Sequence, residues 1–234
     1  MYLFIIGTLI LLVFLAWATW RTALVLREIP LTQNLLLLPA ENLVRATLIG
    51  LCVGLALSSG LPYAYFGWDA HVPGRDAAIG LIVGTLVALI LPPLTNFAIA
   101  RFGAGVYSPI VVRSVMPRNR REWMLVPFAL APAVLLEELI FRSLLLGGFA
   151  NLAPPIFLAV VWSLIFGAMH LPQGALGIVV ATALGLLLSA LFLFTANLLA
   201  PFIAHYVINL LQLIWAARDK TWLEGYETNA SSHS

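Results

Sequence analysis

Three groups of polar residues interrupt an otherwise apolar chain. Glu137, Glu138 and Arg142 lie in the apolar run 123–149, and Phe166 stands four positions before His170 near the end of the next run. His205 and Asn209 are four apart in the last run. A charged side chain at mid-bilayer costs roughly 2.5–3.5 kcal/mol on insertion scales. Two adjacent carboxylates and a guanidinium must therefore face a protein interior or a wet cavity, and the default expectation for such residues is a function.

The spacings fix what can meet what. Residues four apart on a helix share a face, so Glu138 and Arg142 are in the favourable order for an ion pair. Phe166 with His170, and His205 with Asn209, pair on a face in the same way. Glu137 is rotated about 100° from Glu138, which leaves one carboxylate neutralised by Arg142 and the other free. A carboxylate can take a proton from water, an adjacent histidine can orient that water, and a second histidine with an amide can donate to a developing oxyanion. That set is sufficient to hydrolyse a peptide bond without a covalent intermediate. The triad Glu137, His170 and His205 could instead hold zinc with water in the open position, although no His-Glu-x-x-His pair lies on one helix. Ordinary roles exist for each residue as well. A lone intramembrane histidine or Asn209 can serve as helix–helix glue, and Glu138–Arg142 can be structural. Glu137, with no local partner, has no such role.

The elements that must carry these groups are membrane helices. Of 234 residues, 62% are hydrophobic and 9% charged, against about 25% charged in a soluble domain. Mean hydropathy is +1.02. Apolar runs near 20 residues, continuous rather than alternating, predict helices and exclude a barrel. Spans are expected at residues 2–20, 43–66, 77–100, 123–149, 155–170, 175–194 and 196–217. Residues 31–38 are apolar but too short to cross. Span 1 resembles a signal peptide at Ala16-Trp17-Ala18, yet it lacks a basic start and is read as retained. Pro92-Pro93 predicts a kink in span 3, and Pro127 and Pro132 a bend in span 4.

The fold class expected is all-α, a polytopic bundle of seven or eight transmembrane helices with the N-terminus out and the C-terminus in. Ten of twelve positive charges, Arg45 among them, then lie in or beside cytoplasmic loops and the tail, as the positive-inside rule requires. Residues 1–217 read as one membrane-embedded domain, with variable helices over 1–122 and the motif-bearing core over 123–217. Residues 218–234 read as a polar, disordered cytoplasmic tail. At about 1.5 Å per residue, Glu137, His170, His205 and Asn209 fall about 18, 22, 14 and 20 Å deep, near the middle of a core of about 30 Å. Cys52 is the single cysteine, so no internal disulfide forms.

Glu137-Glu138-x-x-x-Arg142, Phe166-x-x-x-His170 and His205-x-x-x-Asn209, in that order on successive helices, resemble the three motifs of the CAAX-protease and bacteriocin-processing intramembrane proteases, the family of the prenyl-protein endopeptidases. The resemblance covers about residues 123–217. It implies that Glu137 is the general base with His170 as its partner on the water. It implies that His205 and Asn209 stabilise the oxyanion, and that Glu138, Arg142 and Phe166 support the site. It implies an endopeptidase, of a family described both as metalloproteases and as glutamic proteases; a glutamic type is expected over a zinc enzyme, since asparagine is a poor zinc ligand, so no cofactor is favoured and zinc is the alternative. The expected substrate is a membrane-anchored protein or peptide. The expected surroundings are a lipid bilayer, in a bacterial inner membrane, with no nucleic-acid partner. Two other readings use the same residues: a non-proteolytic scaffold or immunity factor, and a proton-coupled transporter.

Overall fold

The computed structural model describes residues 1–28, 33–69 and 71–218, and every regular element among them is helical. Helices α1 (Tyr2–Glu28), α2 (Pro39–Ser58), α3 (Pro73–Phe102) and the short α4 (Ile110–Val115) precede the motif helix α5 (Arg120–Glu138). Helix α5 continues without a break as a π-helical segment, Leu139–Gly147. Then come α6 (Pro155–Ala168), α7 (Gly174–Thr195) and α8 (Leu199–Arg218). The tail expected to be disordered lies, from residue 219 on, outside the described residues. Of the short apolar piece 31–38, a 3₁₀ turn over Leu35–Leu37 is described.

Among the described residues, six helices are long and apolar enough to cross a membrane. The seventh expected span, α6, is shorter. Its 14 residues make about 21 Å at 1.5 Å per residue, below the roughly 30 Å of a hydrocarbon core. It was expected to reach His170 but stops at Ala168, and a 3₁₀ turn, Leu171–Gln173, leads into α7. The last helix begins at Leu199 rather than at 196. Pro92 and Pro93 lie inside α3, and Pro127 and Pro132 inside α5, without interrupting either helix. Leu3, Ile6, Ile10 and Val13 of α1, and Leu89 and Ile90 of α3, are exposed. Large apolar side chains on the outside are what a bundle solvated by lipid presents.

Between lipid-facing helices the hydrophobic effect gives no net drive, so close backbone approach must hold the bundle. Helices α3 and α8 show this. A Cβ on Gly84 would lie 2.7 Å from the Ala204 carbonyl oxygen, and one on Gly80 would lie 2.5 Å from that of Ala200. The motif helix is buried at the centre. Leu139 through Phe149 are all buried, and a ladder of edge-on rings (Phe149 to Phe4 and Trp162, Phe141 to Phe166) surrounds them.

Candidate active site

Glu137 and Glu138 close the α-helical part of the motif helix just before its π-helical segment. A π turn places one extra residue in the turn and shifts the faces that follow. The expected ion pair is present here: Arg142 Nη1 donates to Glu138 Oε1 at 3.1 Å, with both side chains essentially without exposure. Arg142 Nη2 donates to the Gly185 carbonyl of α7 at 3.1 Å. Gly185 can be approached because it lacks a side chain: a Cβ there would sit 3.0 Å from Ser163 of α6. The arginine thus ties α7 to the motif helix.

Glu138 does more than the sequence pattern indicates. Its Oε1 also lies 2.7 Å from Nδ1 of His205, 67 positions away on α8. A carboxylate can only accept, so Nδ1 carries the proton, and the ring is held with Nε2 turned the other way. Nε2 stands 3.6 Å from Glu137 Oε2, which is too far for a hydrogen bond but close enough for electrostatic coupling. Glu137 itself is 44% exposed, whereas Glu138 has no exposure at all. The two neighbours therefore have opposite environments, one buried among Arg142 and His205, the other open.

His170 lies in the turn beyond α6 and still meets Phe166. Its Nδ1 is 2.8 Å from the Phe166 carbonyl. A carbonyl cannot donate, so Nδ1 holds the hydrogen and Nε2 is left as an acceptor. The Phe166 ring sits between the histidines, 4.6 Å from the His170 ring and 6.1 Å from that of His205. The Arg142 guanidinium stacks over it at 5.2 Å. Phe166 is thus the apolar wedge that keeps the two imidazoles apart and in place.

Glu137, His170, His205 and Asn209 all line one cavity of about 410 Å³, together with Phe166. The four candidates come from α5, the turn after α6, and α8. Apolar side chains, Leu91 of α3, Val134 of α5 and Leu184 of α7 among them, make up most of the wall, and Thr95, Asn96, Gln173 and Gln212 add neutral polar groups. Tyr107, in the connection between α3 and α4, also borders it, and burial pushes its phenol up to about 12. It therefore stays a neutral hydrogen-bonding group in any working pH range. Among the described residues, no three His, Cys, Asp or Glu side chains converge as a metal-holding group. Of the set Glu137, His170 and His205, the structure brings His205 Nε2 to 3.6 Å from Glu137 Oε2, with His205 Nδ1 on Glu138.

Sequence reasoning gives no sign of the cavity's arginine. Arg45, one of the charges beside a cytoplasmic loop in the sequence pattern, lies in the second turn of α2, lines the cavity, and is within coulombic range of Glu137. Its spacing from Glu41 is the i,i+4 pattern of a helix surface pair, and nothing local announces the cavity. Residues 119–211 match the family model described as type II CAAX prenyl endopeptidase, Rce1-like. The matched segment holds all three motifs, in agreement with the resemblance that they carry. No curated protein and no solved structure gives a significant match to the chain.

Proposed function

Taking the prenyl-endopeptidase match over residues 119–211 as the premise, we propose that this protein is an intramembrane endopeptidase of the metal-independent, glutamic type. Its substrate is a membrane-associated protein or peptide. The observation that carries the reading is the contrast between neighbours: Glu138 is fully buried and paired, while Glu137 opens into the cavity that His170, His205 and Asn209 also line.

In this reading a water molecule attacks the scissile carbonyl carbon. Glu137 takes one of its protons, and His170 Nε2 accepts a hydrogen bond from the same water. Charge then develops on the carbonyl oxygen. The Asn209 amide donates to it, and so does Nε2–H of His205 when the ring carries both protons. With both protons, His205 is a cation. Its charge is then flanked by the carboxylates of Glu138 and Glu137, which offset it. The C–N bond breaks as Glu137 returns its proton to the leaving nitrogen, giving a carboxylic acid and an amine. Glu138 acts through His205, holding its tautomer and orientation, and Arg142 acts through Glu138.

The test is cleavage of membrane-anchored peptides by purified protein in detergent, wild type beside Glu137→Gln, with and without a chelator. A positioned general base contributes about 10²–10⁴-fold, so Glu137→Gln should lose at least that much while its thermal unfolding stays unchanged. Retained cleavage by the folded Glu137→Gln protein would sink the proposal. Loss on chelation with recovery on adding zinc would replace the glutamic reading by a metal one.

A further inference from the structure

Among the described residues, Arg45 is the one arginine or lysine that lines the cavity, and the peptide chemistry above gives it nothing to do. It lies outside the segment 119–211 that the family match covers. Its guanidinium is half engaged. Nη1 donates to Asn42 Oδ1 at 3.1 Å and reaches the Leu36 carbonyl at 3.4 Å. Nη2 stands 3.7 Å from Glu41, beyond hydrogen-bonding distance, and Glu41 is itself 44% exposed. Arg45 is 16% exposed and lines the cavity.

We propose that Arg45 is a carboxylate subsite: it receives a carboxylate of the bound peptide in the cavity that contains Glu137. The inference rests on the peptidase reading. A guanidinium fork matches a carboxylate geometrically. Any anionic ligand entering this cavity also meets the charge of Glu137, and Arg45, as a permanent cation lining it, can offset that repulsion. Glu41 is a weak competitor, because it is 44% exposed and 3.7 Å away, and an ion pair open to solvent contributes little. The neutral groups nearby, Asn96, Gln173 and Gln212, suit a peptide backbone rather than a second charge. The carboxylate can be the free C-terminus of the substrate or an acidic side chain. Either source makes Arg45 a determinant of which peptides are accepted.

The experiment measures binding rather than turnover, in Glu137→Gln protein, whose fold is checked by circular dichroism. The probes are short N-acylated apolar peptides in three forms: a C-terminal acid, the same peptide as an amide, and the amide with one glutamate near its end. The acid should bind about 10-fold or more tightly than the amide, a difference of about 1.4 kcal/mol. Adding Arg45→Gln should bring the ratio to about one, and Arg45→Lys should keep part of it. Recovery by the glutamate-bearing amide identifies the side chain as the source; no recovery identifies the C-terminus. Equal affinity for all three forms, or discrimination that survives Arg45→Gln, overturns the role of Arg45 alone. If no form binds to the folded protein, both the subsite and the peptidase reading on which it rests are overturned.

Discussion

Replacing Arg142 by methionine should cost more stability than any other single exchange in the site. Methionine roughly keeps the volume and the flexible stem, so the change is mainly electrical. It removes the 3.1 Å bond to Glu138 and the 3.1 Å bond to the Gly185 carbonyl, and leaves Glu138 without exposure and without its fixed cation. Breaking one partner out of a buried pair costs about 3–5 kcal/mol. The insertion cost of a bare charge at mid-membrane, roughly 2.5–3.5 kcal/mol, gives a similar figure. At about 2–4 °C per kcal/mol for a chain of this size, 3 kcal/mol lowers the unfolding midpoint by about 6–12 °C. The assay is thermal unfolding in detergent, followed by circular dichroism. The informative control is the double change Arg142→Met with Glu138→Gln, which removes the stranded charge. It should recover more than half of the lost stability, because a neutral replacement of a buried pair is often close to isoenergetic. It should not recover cleavage, since glutamine lacks the charge that holds the proton on His205 Nδ1. Arg142→Met as stable as wild type, or a double variant no better than the single one, would refute the reasoning.

Two further outcomes follow from the same geometry. Asn209→Ala should lower kcat about 10²–10³-fold, the usual effect of losing one oxyanion donor, with little change in KM; an equal loss in KM alone would make Asn209 a binding residue instead. Gly84→Leu should disrupt the α3–α8 contact, because a Cβ there already falls 2.7 Å from the Ala204 carbonyl and 2.9 Å from its Cα; it should lower the unfolding midpoint, whereas the same change at Gly50, where a Cβ meets nothing within 4 Å, should not.

The local relations could be read from the sequence because they depend only on helix geometry. Glu138 with Arg142, and Phe166 with His170, are four apart, and in both cases the contact occurs. The second pairing survives even though α6 ends at Ala168, since the following turn keeps the ring near the Phe166 carbonyl. The length of α6 was misjudged for a reason: hydropathy runs on through Met169 and gives no stop before Pro172, while the chain turns two residues before His170. The π-helical segment after Glu138 has no local signal either. Leu139 to Leu146 reads as an ordinary apolar helix apart from Arg142 and Ser143.

Composition and spacing alone show that the chain is helical and suited to a bilayer, and which residues could do chemistry. Lipid offers the backbone no hydrogen-bond partners, so long apolar runs have to be helices. Polar groups are costly there, so the few that occur can be counted. Only the tertiary structure decided how those residues face one another. The 2.7 Å contact from Glu138 to His205 crosses 67 positions, and the approach of Arg45 to the cavity that holds Glu137 joins α2 to α5. Both depend on how each helix is rotated about its axis. That rotation is fixed by packing between helices, at contacts such as Gly80 and Gly84 against α8 and Gly185 against α6, and no periodicity within a single helix encodes it.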